Sequence, residues 1–475
     1  MRKLLDSPCV PASLNGIPPE LLSQIFQTYL DILSPRNSRV GLLNLCLTCR
    51  RWKEIIYSTA EFWAYVGIRV RANSDASLIN EIQTWLKRSR RHPLKISLIV
   101  EGYSRLLHSI YTRLVEPILA LLCEEIHRWS NMSFSFGLYS IVNLPTKRTV
   151  APILESLELN MAGYHPLNCK WLALLLLRSP NLRTFIGDIP PREQPSVEIL
   201  PIPFSQLSTI DISSVLSFRT ALGIINSMPS LKVCRISLEE DSDEEVETTR
   251  PSLATCYAYE LKLGVRGYCG SFLASLLTPN LERLELHLLQ KIVPMSQENP
   301  FHDFLRKTSS TLTSFTIRNL YMTDNDLLTC LQILSPRLKS LRILSDKLWP
   351  LEYYDVENFT DLVISAMNYD IKQPPTDILC PALEVLTLHR CVLSEDGLLS
   401  QMIKSRWNVY QYQVQVAAEG NQRPCGLYFF EAVLRYHANL EDCRVLEELR
   451  RQGLGGQTRH GIPNGSFGNC RVGIY

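Results

Sequence analysis

Two groups of residues in this chain have the types and spacing that chemistry could use. Cys46 and Cys49 form a Cys-x-x-Cys pair, the spacing of half a zinc site or of a redox pair. A zinc site needs further ligands, and the histidine closest in sequence is His92. The other cysteines are scattered from Cys9 to Cys470 without a repeating pair. We therefore interpret both as apolar positions of a helix and expect free thiols, with no metal and no cofactor.

The second group is the acidic run at 239–247, which contains Ser242. One interpretation is a solvated loop, and another is an acidic docking loop. A third is phosphorylation at Ser242, because the acids that follow it suit an acid-directed kinase. The basic run at 87–92 has two interpretations of its own, the end of a helix or a nuclear-import signal.

Other catalytic and ligand-binding patterns are absent from the sequence. It has no nucleotide-binding loop, no His-Glu-x-x-His and no Gly-x-Ser-x-Gly, and its nine histidines are dispersed. A net charge of +2 gives no general attraction to nucleic acid or anionic lipid. The longest apolar run, 171–177, is far shorter than the ~20 residues that span a bilayer. We expect a non-enzymatic protein of the cytoplasm or the nucleus that binds neither nucleic acid nor membrane.

Residues 17–63 predict three short helices. Pro19 suits the first turn of the first helix. Apolar residues then recur at spacings of three and four: Leu21, Leu22, Ile25, Phe26, Tyr29 and Leu30. A second helix is expected at about 42–49 and a third at about 52–58. A segment this short that is apolar on more than one side needs a partner.

This segment resembles the F-box, whose pattern is Leu-Pro-x-Glu-Ile/Leu-Leu, then Val/Leu-Cys-Lys/Arg-x-Trp, then Leu-Trp. Three blocks match in order, and the departures are Ile17, Phe62 and a long connection at 31–41. The resemblance implies docking on a Skp-type adaptor and, through it, a cullin. It also implies that Trp52 mainly holds the three helices together. The adaptor-binding residues it implies are Ile17, Pro18, Glu20, Leu21, Leu22, Ile25, Phe26, Leu45, Cys49 and Trp52.

A repeated phrase, Pro-x-Leu-x-x-apolar-x-apolar, runs from residue 151 onward. Most of the intervals between copies are those of leucine-rich repeats, ~20–29 residues. Each copy predicts a short strand followed by an apolar helix. We expect Thr323 and Ser394 to be helix N-caps, and strands around Ile96 and around Met132. The first leucines of the copies are Leu154, Leu182, Leu207, Leu231, Leu253, Leu281, Leu312, Leu338 and Leu383.

The two copies at 312–328 and 383–399 resemble the cysteine-containing leucine-rich repeat, and most of the chain resembles fungal-type F-box/leucine-rich-repeat proteins. The implied fold is α/β: a three-helix F-box, then a curved solenoid with parallel strands on the concave face and helices outside. The expected segments are an extension (1–13), the F-box (14–64), a linker with the first degenerate repeats (65–150), the solenoid (151–450) and a glycine-rich disordered tail (451–475).

Residues between the inward apolar pair of each strand are expected to face a protein target. They are Glu158, Asp211, Arg235, Arg283, Glu285, Arg342 and Thr387. The aromatic residues Trp349, Tyr353 and Tyr354 lie in an insertion, which we expect either to bind the target or to cover the edge of the repeats. The function implied is the substrate-recognition subunit of a cullin–RING ubiquitin ligase. Two alternatives stay open: a scaffold that binds the adaptor without directing ubiquitin transfer, and a repeat module whose F-box-like segment only caps it.

Overall fold

The computed structural model describes the chain in fifteen stretches, and it separates into two compact units, 1–207 and 208–475. Each unit is mixed α/β, with parallel strands in a solenoid-like order. The described residues are 16–33, 38–71, 73–101, 111–136, 150–161, 170–188, 202–240, 253–267, 269–288, 300–319, 322–345, 359–369, 378–417, 426–435 and 440–461.

The first unit begins with three helices and continues into parallel strands that neighbour one another in chain order. Its strands are β1 (Tyr65–Val70), β2 (Leu94–Val100), β3 (Trp129–Phe136), β4 (Ser156–Met161) and β5 (Thr184–Gly187). Its helices are α1 (Pro19–Ile32), α2 (Ser38–Thr48), α3 (Arg50–Ser58), α4 (Ser77–Arg88), α5 (Glu116–Glu124) and α6 (Lys170–Leu177). Short 3₁₀ or π turns occupy Ala60–Ala64, Tyr111–Val115, Ile126–Arg128 and Phe204–Gln206.

Alternation of apolar and polar residues explains these strands. Ile96 on β2 lies beside Met132 on β3, which lies beside Leu157 on β4, and all three are buried. The residues one step along each strand point to the opposite face. The predicted strands around Ile96 and Met132 are therefore confirmed.

The second unit repeats the same arrangement of parallel strands and helices. Its parallel strands are β6 (Thr209–Ser217), β7 (Val233–Glu239), β9 (Glu260–Arg266), β11 (Arg283–Leu288), β12 (Ser314–Arg318), β13 (Ser340–Leu344), β15 (Val385–His389), β17 (Phe429–Arg435) and β18 (Thr458–Gly461). Two short parallel pairs join β8 (Ala254–Thr255) to β10 (Leu276–Leu277) and β14 (Phe359–Thr360) to β16 (Val392–Leu393). Its helices are α7 (Phe218–Asn226), α8 (Gly270–Ala274), α9 (Pro300–Thr308), α10 (Asp324–Leu334), α11 (Asp361–Ala366), α12 (Leu398–Ala417) and α13 (Leu440–Arg451). Among the described helices of the chain, none is both long and apolar enough to cross a membrane.

The first leucine of the repeated phrase is buried before its strand in every expected copy but one. Leu253 is 65% exposed, so the copy expected there is wrong. The buried position is Ala258, which precedes β9 by the same step that separates Leu281 from β11. The pattern missed this copy because it has an alanine in place of the leucine and no proline two residues before it. Leu427, buried before β17, is a further copy that the pattern missed.

The expectation of a disordered tail is wrong for its first part. Residues 458–461 form β18, which pairs in parallel with β17. Backbone hydrogen bonds make this contact, so it needs no apolar side-chain period. Gly456 leads into it at φ +105°, where a Cβ would collide with the carbonyl oxygen of Phe430. Residues 462–475 lie outside the described residues.

The two expected helix caps differ in outcome. The hydroxyl of Thr323 accepts a hydrogen bond from the Asp326 amide at 3.1 Å, so this N-cap is confirmed. Ser394 is not a cap, because α12 begins only at Leu398. Gly397, at φ +90°, turns the chain just before that helix.

A buried arginine joins three segments of the second unit. Arg406 on α12 is 2% exposed. Its guanidinium donates to the carbonyl oxygens of Met367 at 2.7 Å, Cys380 at 2.9 Å and Leu379 at 2.5 Å. Burial lowers the pKa of Arg406 to about 10, so the group is still charged at neutral pH. The side chain therefore satisfies the carbonyl group at the end of α11 and two carbonyl groups in the segment before β15.

Candidate adaptor-binding surface

Helices α1, α2 and α3 enclose a complete small core. Leu22, Phe26 and Leu30 repeat every four residues along α1 and are each 1% exposed. This spacing places them on one face of the helix. They pack with these buried residues from the following elements: Leu42, Ile55, Ile56, Phe62, Trp63 and Trp85.

Aromatic contacts close this core. The rings of Phe26 and Trp52 lie 4.7 Å apart, and those of Trp63 and Trp85 lie 4.9 Å apart, edge to face. The indole nitrogen of Trp63 donates to the carbonyl oxygen of Ile56 at 2.9 Å, which satisfies its buried N–H. Trp85 lies on α4, so the core draws on a helix beyond the three N-terminal ones.

The basic run at 87–92 contributes to the same region. The guanidinium carbon of Arg88 lies 4.4 Å from the ring centroids of both Tyr57 and Trp63. Such stacking is favourable because the ring faces carry negative charge density. Arg88 therefore has a structural position at the end of α4.

A second apolar stripe runs along the outer side of α1. Leu21 is 50% exposed, Ile25 is 53% exposed and Ile32 is 79% exposed. They border an open groove of about 710 Å³, lined by Ile17, Leu21, Gln24, Ile25, Thr28, Tyr29 and Ile32. The buried stripe already supplies the domain core. This outer stripe is a candidate protein-binding surface, because contiguous apolar side chains in water mark such surfaces.

Helix α2 also exposes apolar side chains. Val40, Leu43 and Leu47 are 58%, 43% and 82% exposed, and their spacing of three and four places them on one side of the helix. None of these three residues was expected among the adaptor-binding residues. Their spacing of three and four residues in the sequence already indicated an apolar side of α2.

Residues 14–69 match the F-box-like family. No curated protein sequence matches the chain. The match covers the three helices, the turn at Ala60–Ala64 and most of β1. It is slightly longer than the expected F-box segment, 14–64.

The structure distributes the expected adaptor-binding residues between the surface and the core of the F-box-like domain. The exposed ones are Pro18, Glu20, Leu21, Ile25 and Cys49, and the partly buried ones are Ile17, Leu45 and Trp52. Leu22 and Phe26 do not lie on that surface and are corrected to core residues. Consecutive leucines on a helix point about 100° apart, so Leu21 and Leu22 cannot share a face.

The two cysteines of the F-box-like domain have different environments. Cys46 is partly buried against the core, and burial raises the pKa of its thiol. Cys49 lies just after α2 and caps α3, where its sulfur accepts the Trp52 amide at 3.5 Å. Across the stretches that the structure describes, no three His, Cys, Asp or Glu side chains cluster as metal ligands would.

A polar cluster fixes α1 of the F-box-like domain to β1 and β2. Gln27 donates to the Tyr65 hydroxyl at 2.5 Å, and Lys95 donates to the same hydroxyl at 2.9 Å. The hydroxyl in turn donates to the carboxylate of Asp31, which lies 3.5 Å from the Lys95 ammonium. Burial alone raises the pKa of Asp31, but hydrogen bonds from Tyr65 and Gln27 and the charge of Lys95 hold it below its ordinary value.

We expect Asp31→Asn to lower stability at neutral pH and to have no such effect in acid. A carboxyl whose folded pKa is lowered stabilises the fold above its unfolded pKa, and this contribution is lost as pH falls through the folded pKa. The loss at about pH 7 should be no more than about 1 kcal/mol, because the pair is half exposed. Thermal unfolding of wild type and variant at about pH 7 and about pH 3 measures it.

The matched control is Glu54→Gln, which removes an exposed ion pair with Arg50 within α3. It should leave the melting temperature nearly unchanged at both pH values. A difference between wild type and Asp31→Asn that persists undiminished in acid would contradict the assignment.

The expected target-facing residues lie in both units. Glu158 is on β4 of the first unit, and the rest lie in the second, where Arg342 is exposed. Thr387 faces the same way but is 2% exposed, so the expectation that it is accessible to a target is wrong. Its side chain is short and lies between the longer side chains of Arg342 and Glu431 on the neighbouring strands. Ser242, Trp349, Tyr353 and Tyr354 lie outside the described residues.

Proposed function

We propose that this protein is the substrate-recognition subunit of an SCF-type cullin–RING ubiquitin ligase. The observation that carries the proposal is the outer apolar stripe of α1, in an F-box-like domain whose own core is already filled. F-box domains typically bind Skp-type adaptors. Leu21 and Ile25 would supply the buried contacts of that interface, since apolar area removed from water stabilises association.

The repeated strands support the second half of the proposal. Their in-register rows present polar side chains on one face, as a leucine-rich-repeat module of the fungal F-box type would present them to a protein target. The chain would contribute proximity and orientation, while its partners would supply the catalysis. We place this role in the cytoplasm or the nucleus.

One observation favours a second candidate function. The core of the F-box-like domain includes Trp85, which lies on α4, and the polar cluster around Tyr65 joins α1 to β1 and β2. Such packing suits a repeat module whose F-box-like segment only caps its first strands.

The deciding experiment is co-purification of the full chain with a Skp-type adaptor. A stable complex supports the recognition subunit and excludes a mere cap. Proximity labelling, with wild type against an adaptor-binding variant, then identifies targets. Target levels that depend on the adaptor support ubiquitin transfer, whereas adaptor binding without any change in turnover supports the scaffold.

A further inference from the structure

Acidic residues are unevenly distributed over the strands of the second unit. Strands β6, β7, β9 and β11 each contain at least one Asp or Glu, and so does β17. The three neighbouring strands between them, β12, β13 and β15, contain none. Their polar face is therefore the place where an anionic ligand meets the least repulsion.

Charges on the earlier strands are matched across the sheet. Arg235 lies 3.7 Å from Asp211 and 2.9 Å from Glu260. Arg283 lies 3.7 Å from Glu260 and 5.9 Å from the ring of Tyr259. These side chains already have partners, so a ligand that bound them would have to compete with intramolecular ion pairs.

Hydrogen-bond donors stand in one row of the three acid-free strands. In register, Thr316 of β12 lies beside Arg342 of β13, which lies beside Thr387 of β15. Leu341 and Ile343 are fully buried, so Arg342 points to the other, exposed side. Arg318 lies one step further on the same face of β12. We name these four residues, Thr316, Arg318, Arg342 and Thr387, the acid-free face. Its two threonines are buried, so the arginines are the side chains that a ligand can reach.

Three carboxylates border this face, and one of them, Glu431 on β17, lies beside Thr387 and 3.5 Å from the Nε2 atom of His389. The other two lie beside a lysine. Glu285 on β11 lies 2.7 Å from Lys262 and is 3.9 Å from Arg318. Glu384, just before β15, accepts a hydrogen bond from Lys339 at 2.8 Å. Within the described residues, no carboxylate lies within ion-pair distance of Arg342. Among the described residues, the Arg342 guanidinium is thus exposed and is not used by a carboxylate.

We propose that the acid-free face binds an acidic peptide segment of the target, with an Asp or Glu carboxylate on Arg342. This inference rests on the proposed function, since it names the target class of that receptor. A planar guanidinium holds a carboxylate through two parallel hydrogen bonds, and Arg342 is the exposed guanidinium of this face. Nucleic acid fits the face less well, because the one aromatic residue of the three strands, Phe315, is fully buried and two arginines give little backbone attraction.

The test is fluorescence anisotropy of the full chain with a labelled peptide of alternating Glu and Ser. Arg342→Gln should weaken binding at least tenfold, whereas the matched variant Arg283→Gln on the same sheet should change it less than twofold. Replacing every Glu of the peptide by Gln should abolish binding, and added salt should weaken it.

Several results would overturn the proposal. They are no binding of the Glu peptide, equal losses in the two variants, binding only when the serines are phosphorylated, and tighter binding of a single-stranded oligonucleotide. The double variant Leu21→Asp with Ile25→Asp separates this proposal from the proposed function. The double variant should bind the peptide as wild type does. If the wild-type chain binds the peptide but not the adaptor, the proposed function is contradicted while the acidic-peptide proposal stands.

Discussion

Replacing Leu21 and Ile25 together by Asp should abolish adaptor binding, with a loss of at least a hundredfold in affinity. Each side chain is about half exposed in the free chain and would be buried in the complex. Burial of the exposed half of one such side chain contributes roughly 0.8–1.5 kcal/mol, and an unpaired buried carboxylate in its place adds a desolvation cost of several kcal/mol. Since each tenfold change corresponds to about 1.4 kcal/mol, two sites together exceed a hundredfold. Calorimetry with purified adaptor measures the loss.

Two variants control for this result. Leu362→Asp places the same charge on an equally exposed leucine of α11 and should leave adaptor binding unchanged. Leu22→Ala, next to Leu21, should instead lower the free energy of unfolding by about 2–5 kcal/mol, because it empties a core position. Full adaptor affinity in the double Asp variant would remove the outer stripe of α1 from the interface.

Replacing Arg406 by Met should destabilise the second unit by about 3–5 kcal/mol. The variant leaves the carbonyl oxygens of Met367, Leu379 and Cys380 buried without their donor, and each such group costs on the order of 1–3 kcal/mol. Arg406→Lys should recover part of the loss, since an ammonium cannot reach three separate acceptors in the geometry of a guanidinium. Urea unfolding together with hydrogen exchange of α12 and of the segment before β15 measures the effect.

The control for this prediction is Lys404→Ala on the same helix. Lys404 is exposed and should change stability by no more than about 0.5 kcal/mol. If Arg406→Met and Lys404→Ala behaved alike, the three carbonyls would not depend on the buried guanidinium.

Local patterns predicted much of the fold. The strand face follows from alternation at Leu284 and Leu286, and the cap at Thr323 follows from a short polar side chain before an apolar helix. The same reasoning failed at Ala258 and at β18. At Ala258 a small residue occupies the position where the other copies have a leucine. Strand β18 is held by backbone pairing with β17, so its sequence needs no alternation of apolar side chains.

Three apolar helices within residues 17–63 and the parallel strands after them could be predicted from the amino-acid sequence, because both depend on the period of apolar residues along a single element. Which apolar residues face inward depends instead on the folded neighbours: Leu22 and Phe26 fill a core, whereas Leu21 and Ile25 remain in water. The tertiary structure also decided that Arg283 is paired while Arg342 is exposed, and that Arg406 is buried on three carbonyls. The physical reason is that burial and charge pairing depend on neighbours that are distant in sequence, such as Trp85, Glu260 and Met367, and no local spacing records them.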